Sequence, residues 1–211
     1  MDKLLAWNPS AEGTFPIRAA MVSSLNGYVA GTDGTSNSIT NNTDRNFFLK
    51  LRNSADIIIV GAETVRSEQY KTPRNTAIVV VTESGIFPSP LYQDLLNDTQ
   101  AASKIYLCTP STNKLPASLV QHVASSHIIE ATIPELCTKL RELGFQKILC
   151  EGGITLLKQL IDTKSLNELL LTIVPQFVES QTKYHVNFPA NFEITSNYTT
   201  GTANILKLKL L

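Results

Sequence analysis

The residues of this chain best placed to do chemistry are Glu151, Gly152 and Gly153, in the run Lys147-Ile148-Leu149-Cys150-Glu151-Gly152-Gly153-Ile154-Thr155-Leu156-Leu157. A short apolar run predicts a buried strand. It breaks at two glycines and passes into Leu156, Leu157, Leu160 and Ile161, which recur at helical spacing. Glycines at such a turn let a ligand approach the backbone closely. The free N–H groups of Gly153, Ile154 and Thr155 then meet it at the positive end of a helix dipole, an arrangement suited to a phosphate. A β-branched side chain at Gly153 would block that approach and strain any positive φ. Glu151 brings a carboxylate to the end of the strand, where ligands of open α/β sheets bind. The same residues also read as a tight turn carrying a solvated glutamate.

Two further segments follow predicted strands: Ser23-Ser24-Leu25-Asn26-Gly27 and Gly61-Ala62-Glu63-Thr64-Val65-Arg66. The first also reads as an Asn-Gly hairpin turn. The second also reads as a plain strand-to-helix turn. If the three strands are parallel neighbours, all three segments converge on one edge of the sheet.

The elements that must position them alternate. Strand-like runs lie at Ile17–Val22, Asp56–Val60, Thr76–Val81, Lys104–Cys108, His127–Glu130, Lys147–Cys150 and Glu168–Val174. Several are rich in Ile and Val without polar alternation, as expected of parallel strands covered on both faces. Between them, Thr43 is expected to cap a helix over Asp44–Arg52, with weaker helices at Leu91–Leu96 and Ala117–Val123. Thr132 and Glu135 form a capping box, and Gly144 ends that helix. After Pro175 the pattern changes to two strands, Phe192–Thr199 and Asn204–Leu210, joined by Thr200-Gly201-Thr202. Alternation from Ile205 to Leu210 predicts that this last strand is an edge, with one face wet or covered by a second subunit. The expectation is a single α/β domain over residues 1–211: a mostly parallel twisted sheet with flanking helices and a C-terminal antiparallel hairpin.

Composition narrows the function. The 211 residues carry 18 basic and 18 acidic side chains, a formal charge of zero, which suggests neither nucleic acid nor an anionic membrane as partner. No run of about 18 apolar residues suggests a membrane span, and the first eight residues lack the apolar run of a signal peptide. A cytoplasmic protein is expected. Cys108, Cys137 and Cys150 are widely spaced and read as small buried hydrophobes. His122, His127 and His185 show no metal-ligand spacing, so no metal is expected.

The three segments, in this order and spacing, resemble the reductase domain of bacterial riboflavin biosynthesis, which has the dihydrofolate-reductase-like fold. The family pattern has Ser-Leu-Asp-Gly, Gly-x-x-Thr-Val and Glu-Gly-Gly-x-x-Leu. A segment here written Glu168-Leu169-Leu170-Leu171-Thr172-Ile173-Val174-Pro175 follows. Gly61 to Tyr70 and Leu149 to Leu157 are most similar to its stand-alone pyrimidine reductase branch, and the resemblance spans roughly residues 17 to 176. It implies that Gly152, Gly153, Ile154 and Thr155 hold a cofactor pyrophosphate. Gly61, Thr64 and Val65 would lie on the cofactor side, as would Thr40 in Ser38-Ile39-Thr40. Ser24, Asn26, Arg66 and Glu151 would meet the substrate, with Asn26 and Glu151 beside the reacting centre. The implied cofactor is NADPH, the implied substrate a ribosylaminopyrimidine 5'-phosphate, and the implied assembly a homodimer.

Several residues depart from that pattern. Asn26 stands for Asp, Ala20 for a Lys four residues before the motif serine, Ser38 for Trp, and Ser67-Glu68-Gln69-Tyr70 for an Asp-Pro stretch. Most fall on the substrate side. A dihydrofolate or dihydropterin reductase, or a catalytically silent nucleotide-binding domain, therefore stays open. Glu83, after the third strand, suits a free ribose hydroxyl better than a 2'-phosphate, with Ser84 and Arg66 as compensations. No zinc deaminase signature is present.

Overall fold

Among the described residues, nine strands form one sheet in the order β5-β4-β3-β2-β6-β1-β7-β9-β8. They are β1 (Arg18–Ser24), β2 (Ile57–Gly61), β3 (Ala77–Val81), β4 (Ile105–Thr109), β5 (Ile128–Glu130), β6 (Ile148–Cys150), β7 (Glu168–Val174), β8 (Phe192–Thr199) and β9 (Asn204–Leu210). The helices are α1 (Asp2–Leu5), α2 (Asn42–Ser54), α3 (Ala62–Ser67), α4 (Pro90–Asn97), α5 (Thr99–Ala102), α6 (Ala117–His122), α7 (Ile133–Glu142) and α8 (Ile154–Asp162). The computed structural model describes residues 1–187 and 189–211.

β1 to β7 pair in parallel, and β9 and β8 close the sheet antiparallel. The Ile/Val runs are buried on both faces, as their lack of polar alternation predicts. Ile57 and Ile59 pack with the α7 and α8 side chains Leu136, Leu140, Leu157 and Leu160. Ile58 and Val60 face the other way, onto Phe47 and Leu51 of α2 and Val65 of α3. Among the described residues, no helix is long and apolar enough to cross a membrane.

Two local expectations change. The cap of α2 is Asn41, whose side chain accepts the Asp44 N–H at 3.0 Å, so the helix starts earlier than a Thr43 cap would allow. β9 is not an edge: it lies between β7 and β8, and β8 is the outer strand. Lys207 of β9 is only 6% exposed, and its ammonium lies 3.1 Å from Glu168, which also binds the buried Arg18 at 2.6 Å. Lys207 therefore belongs to a buried ion-paired network, while Lys209, two residues on, is exposed as the alternation predicts. Arg18 also donates to the Leu5 and Ala6 carbonyls and lies 4.1 Å from the Trp7 ring, which fastens the amino-terminal segment to β1.

The chain runs outward from β1 through β2 to β5, then returns to insert β6 between β1 and β2. β7 is then laid on the far side of β1. The carboxyl ends of β1, β6 and β2 are thereby adjacent, and a ligand crevice of an open α/β sheet forms at such a reversal.

Candidate functional site

At these carboxyl ends lies a cavity of about 1290 Å³. The turn after β6 forms its floor. The Glu151 N–H donates to Ile59 O at 3.0 Å and the Gly61 N–H to Gly152 O at 3.1 Å, so the glycine turn is anchored on β2. Gly152 adopts φ +101°, a conformation side chains other than glycine resist. Gly153 has φ −69° and is extended, so the left-handed strain expected there falls on its neighbour. At 153 the constraint is one of space: a Cβ would lie 3.0 Å from Thr64 Oγ1, a tight contact that Thr64 would have to relieve by a few tenths of an ångström. The Gly152–Gly153 peptide is cis.

Gly153 caps α8 with no side-chain hydrogen bond, which leaves first-turn N–H groups open where Gly152, Gly153, Ile154 and Thr155 line the cavity. These groups and the dipole of the nine-residue α8 fit an anionic group such as a pyrophosphate. Gly61, Thr64, Thr40 and Arg66 share the same wall. Arg66 donates to Ile86 O at 3.0 Å, which places it beside the loop after β3 and away from Glu151. Val65 is fully buried in the core under α3, so only its backbone is available to a ligand.

Ser24 and Asn26 do not reach the cavity wall. Asn26 Oδ1 accepts from Ser24 Oγ at 2.8 Å and from the Val178 N–H at 3.2 Å, while its amide donates to Val178 O at 2.8 Å. Gly27, at φ +81°, donates its N–H to Ser24 O at 3.1 Å, so the Asn-Gly turn is real. An aspartate could not donate to Val178 O, which accounts structurally for the amide. Asn26 brackets the segment after β7.

Glu151 is the centre of a cluster that sequence reasoning missed. Arg52 grips it with two hydrogen bonds, Nε to Oε1 at 2.7 Å and Nη2 to Oε2 at 2.6 Å, and the Tyr70 hydroxyl donates to Oε2 at 2.9 Å. The Glu151 side chain is fully shielded, whereas Arg52 is a third exposed and lines the cavity with Phe48 and Tyr70. A direct hydrogen bond from substrate to Glu151 thus meets Arg52 first. Burial opposes the Arg52 charge, but Glu151, and Tyr70 after it, outweigh burial and raise the guanidinium pKa. Burial, and then the Glu151 charge, push the Tyr70 hydroxyl well above its usual value, so it stays a donor. Arg52 also stacks between the Phe48 and Tyr70 rings, at 5.6 and 5.1 Å. The only sequence signal was Arg52 four residues after Phe48 on one helix face.

Among the described residues there is no group of three or more His, Cys, Asp and Glu side chains able to hold a metal. All three cysteines are buried and unpaired.

Comparison with known proteins adds to this geometry. No curated protein sequence matches the chain. The structure is similar to that of a pyrimidine reductase-like protein from Corynebacterium diphtheriae, at 22% identity and TM-score 0.73, covering 93% of this chain and 92% of that one. It is also similar to the riboflavin biosynthesis reductase of Saccharomyces cerevisiae, at 16% identity and TM-score 0.68, covering 92% and 89%. Dihydrofolate reductase from Enterococcus faecalis matches at 10% identity and TM-score 0.60, covering 92% and 96%, so the fold is dihydrofolate-reductase-like. The sequence profile of the RibD C-terminal domain matches residues 16–196, and the chain belongs to that family.

Proposed function

We propose that the chain is an NADPH-dependent reductase of a ribosylaminopyrimidine 5'-phosphate. The observation that carries this reading is the meeting, in one cavity, of an uncapped helix N-terminus behind a glycine turn and an arginine fixed by a buried carboxylate. The first suits the pyrophosphate of a dinucleotide and the second an anionic substrate. The cavity is larger than that of a typical single small ligand, which accords with two ligands side by side.

When bound, the nicotinamide supplies a hydride, which here would reduce C1' of the ring-opened imine to the ribitylamino product. Gly152, Gly153, Ile154 and Thr155 hold the pyrophosphate through backbone N–H groups. Gly61 and Thr64 bound the same turn. With Nε and Nη2 committed to Glu151, Arg52 offers Nη1 to the substrate phosphate. Glu151 acts by fixing that guanidinium, and Tyr70 by completing the carboxylate's hydrogen bonds. The imine nitrogen takes up one proton as the hydride reaches C1', with solvent as its source in this reading.

The test is NADPH oxidation by purified protein with 5-amino-6-(5-phosphoribosylamino)uracil, and in parallel with dihydrofolate. Turnover with the first alone supports the reading. Turnover with dihydrofolate alone makes this a pterin reductase, and nucleotide binding without turnover on either makes it a silent domain.

A further inference from the structure

Asp44 is a cavity residue that the chemistry above leaves unused. It lies in the first turn of α2 and lines the cavity beside Ala20, Thr40 and Phe48. The residue is 4% exposed. Thr40 donates its hydroxyl to Oδ2 at 2.5 Å, while Oδ1 is buried and has no hydrogen-bond partner among the described residues. The nearby bases are directed elsewhere: Arg45 reaches Asn37 O at 3.5 Å, and Arg52 is held by Glu151. Dipole stabilisation explains an acidic residue in the first turn of a helix. It does not explain a shielded carboxylate oxygen with unfilled lone pairs, since buried acceptors are ordinarily satisfied.

We propose that the Asp44 carboxylate recognises the substrate base, accepting hydrogen bonds from the amino and ring N–H groups of a pyrimidine. An apolar wall of Ala20 and Phe48 with a carboxyl acceptor beside it suits a flat nitrogen heterocycle whose edge donates. The assignment deepens the reductase reading and rests on it for the identity of the base. It also separates two jobs: Arg52 takes the anionic end of the ligand and Asp44 the heterocycle.

The experiment is calorimetric titration of the intact protein with 5,6-diaminouracil and with 1,3-dimethyluracil, which lacks N–H donors. Wild type is expected to bind the diamino compound at least about tenfold tighter, since hydrogen bonds to a charged group carry that much discrimination. Asp44→Asn keeps the shape and the Thr40 contact, and should erase that preference while NADPH affinity and melting temperature hold. Equal binding of the two uracils by wild type overturns the proposal. So does an Asp44→Asn protein that keeps the preference, whatever its stability. If the variant does not fold, the wild-type comparison decides alone. Failure of the reductase reading shows separately, as no NADPH oxidation with the ribosylaminopyrimidine phosphate while the Asp44-dependent preference for diaminouracil remains.

Discussion

Arg52 and Glu151 form a planar two-point pair across 99 residues of sequence, with Nε 2.7 Å from Oε1 and Nη2 2.6 Å from Oε2. Glu151→Gln keeps the shape and removes the charge. It should cost about 2 kcal/mol, below the loss from a fully buried pair because Arg52 is a third exposed. Turnover should fall by at least about tenfold with NADPH affinity nearly unchanged. Arg52→Lys should mimic it, since an ammonium cannot make the fork. Steady-state rates and calorimetric NADPH binding check both. A Glu151→Gln protein with wild-type kcat/KM would remove the pair from the reaction.

Gly153→Val should weaken nucleotide binding far more than it weakens the fold. Its Cβ would press on Thr64 Oγ1 at 3.0 Å and its methyls would stand over the open N–H groups of α8. We expect at least about a tenfold loss of NADPH affinity, or 1.4 kcal/mol. A folded Gly153→Val protein that binds nucleotide normally would move the cofactor away from this turn.

Glu83 lines the cavity just beyond β3 with its side chain 79% exposed, and Lys114 lies 3.9 Å from it. Arg66, tied to Ile86 O, stands at the same loop and can offset the acid beside a 2'-phosphate. NADPH is expected to bind more tightly than NADH, and Glu83→Gln should widen the gap by removing a like charge. Titration of both nucleotides measures it. Equal or tighter NADH binding in the wild type would reverse the assignment.

A homodimer is expected, now through β8. That strand is one of the two outer edges of the sheet, and Ile194 on it is exposed. An uncovered edge with apolar side chains invites pairing with another copy. Light scattering over a wide concentration range should give twice the chain mass. A concentration-independent monomer would end this expectation.

Stability should fall on the alkaline side. Burial pushes the Cys108 and Cys150 thiols up to about 12 and Cys137 to about 11, and holds Tyr70 well above its usual value. Above about pH 9 the unfolded chain releases these protons while the folded chain keeps them, so unfolding is favoured as pH rises. Each group contributes up to about 1.4 kcal/mol per pH unit within its window. Denaturant melts from pH 8 upward should show the decline, and replacing the three cysteines with alanine should flatten its first part.

Much of the scaffold is legible because burial writes directly into composition. Ile57-Ile58-Ile59-Val60 could only be a strand covered on both faces, and Thr132 with Glu135 could only start a helix. The glycine turn after β6 was legible for the same local reason. Lys207 misled because alternation of lysine with leucine looks the same whether the ammonium meets water or Glu168. Arg52 and Tyr70 were invisible as a pair: only the inserted β6 brings Glu151 between them, and no short window of sequence holds all three. Asp44 entered only as the first residue of the expected helix Asp44–Arg52, because the lack of a partner for a buried oxygen shows only in three dimensions.

The insertion of β6 also orders events in time. Leu149 pairs with Arg18 on one side and Ile58 on the other, so the centre of the sheet closes only through contacts spanning about 90 to 130 residues. Contacts of such long sequence separation slow folding, because the loop must be closed before anything is gained from it. On a ribosome, β1 to β5 would emerge with a strand-wide gap between β1 and β2. The residues that fill that gap are the ones that carry Glu151 and the glycine turn. Assembly of the sheet and assembly of the cavity are therefore the same late step, and a truncated chain ending before Ile148 would have neither.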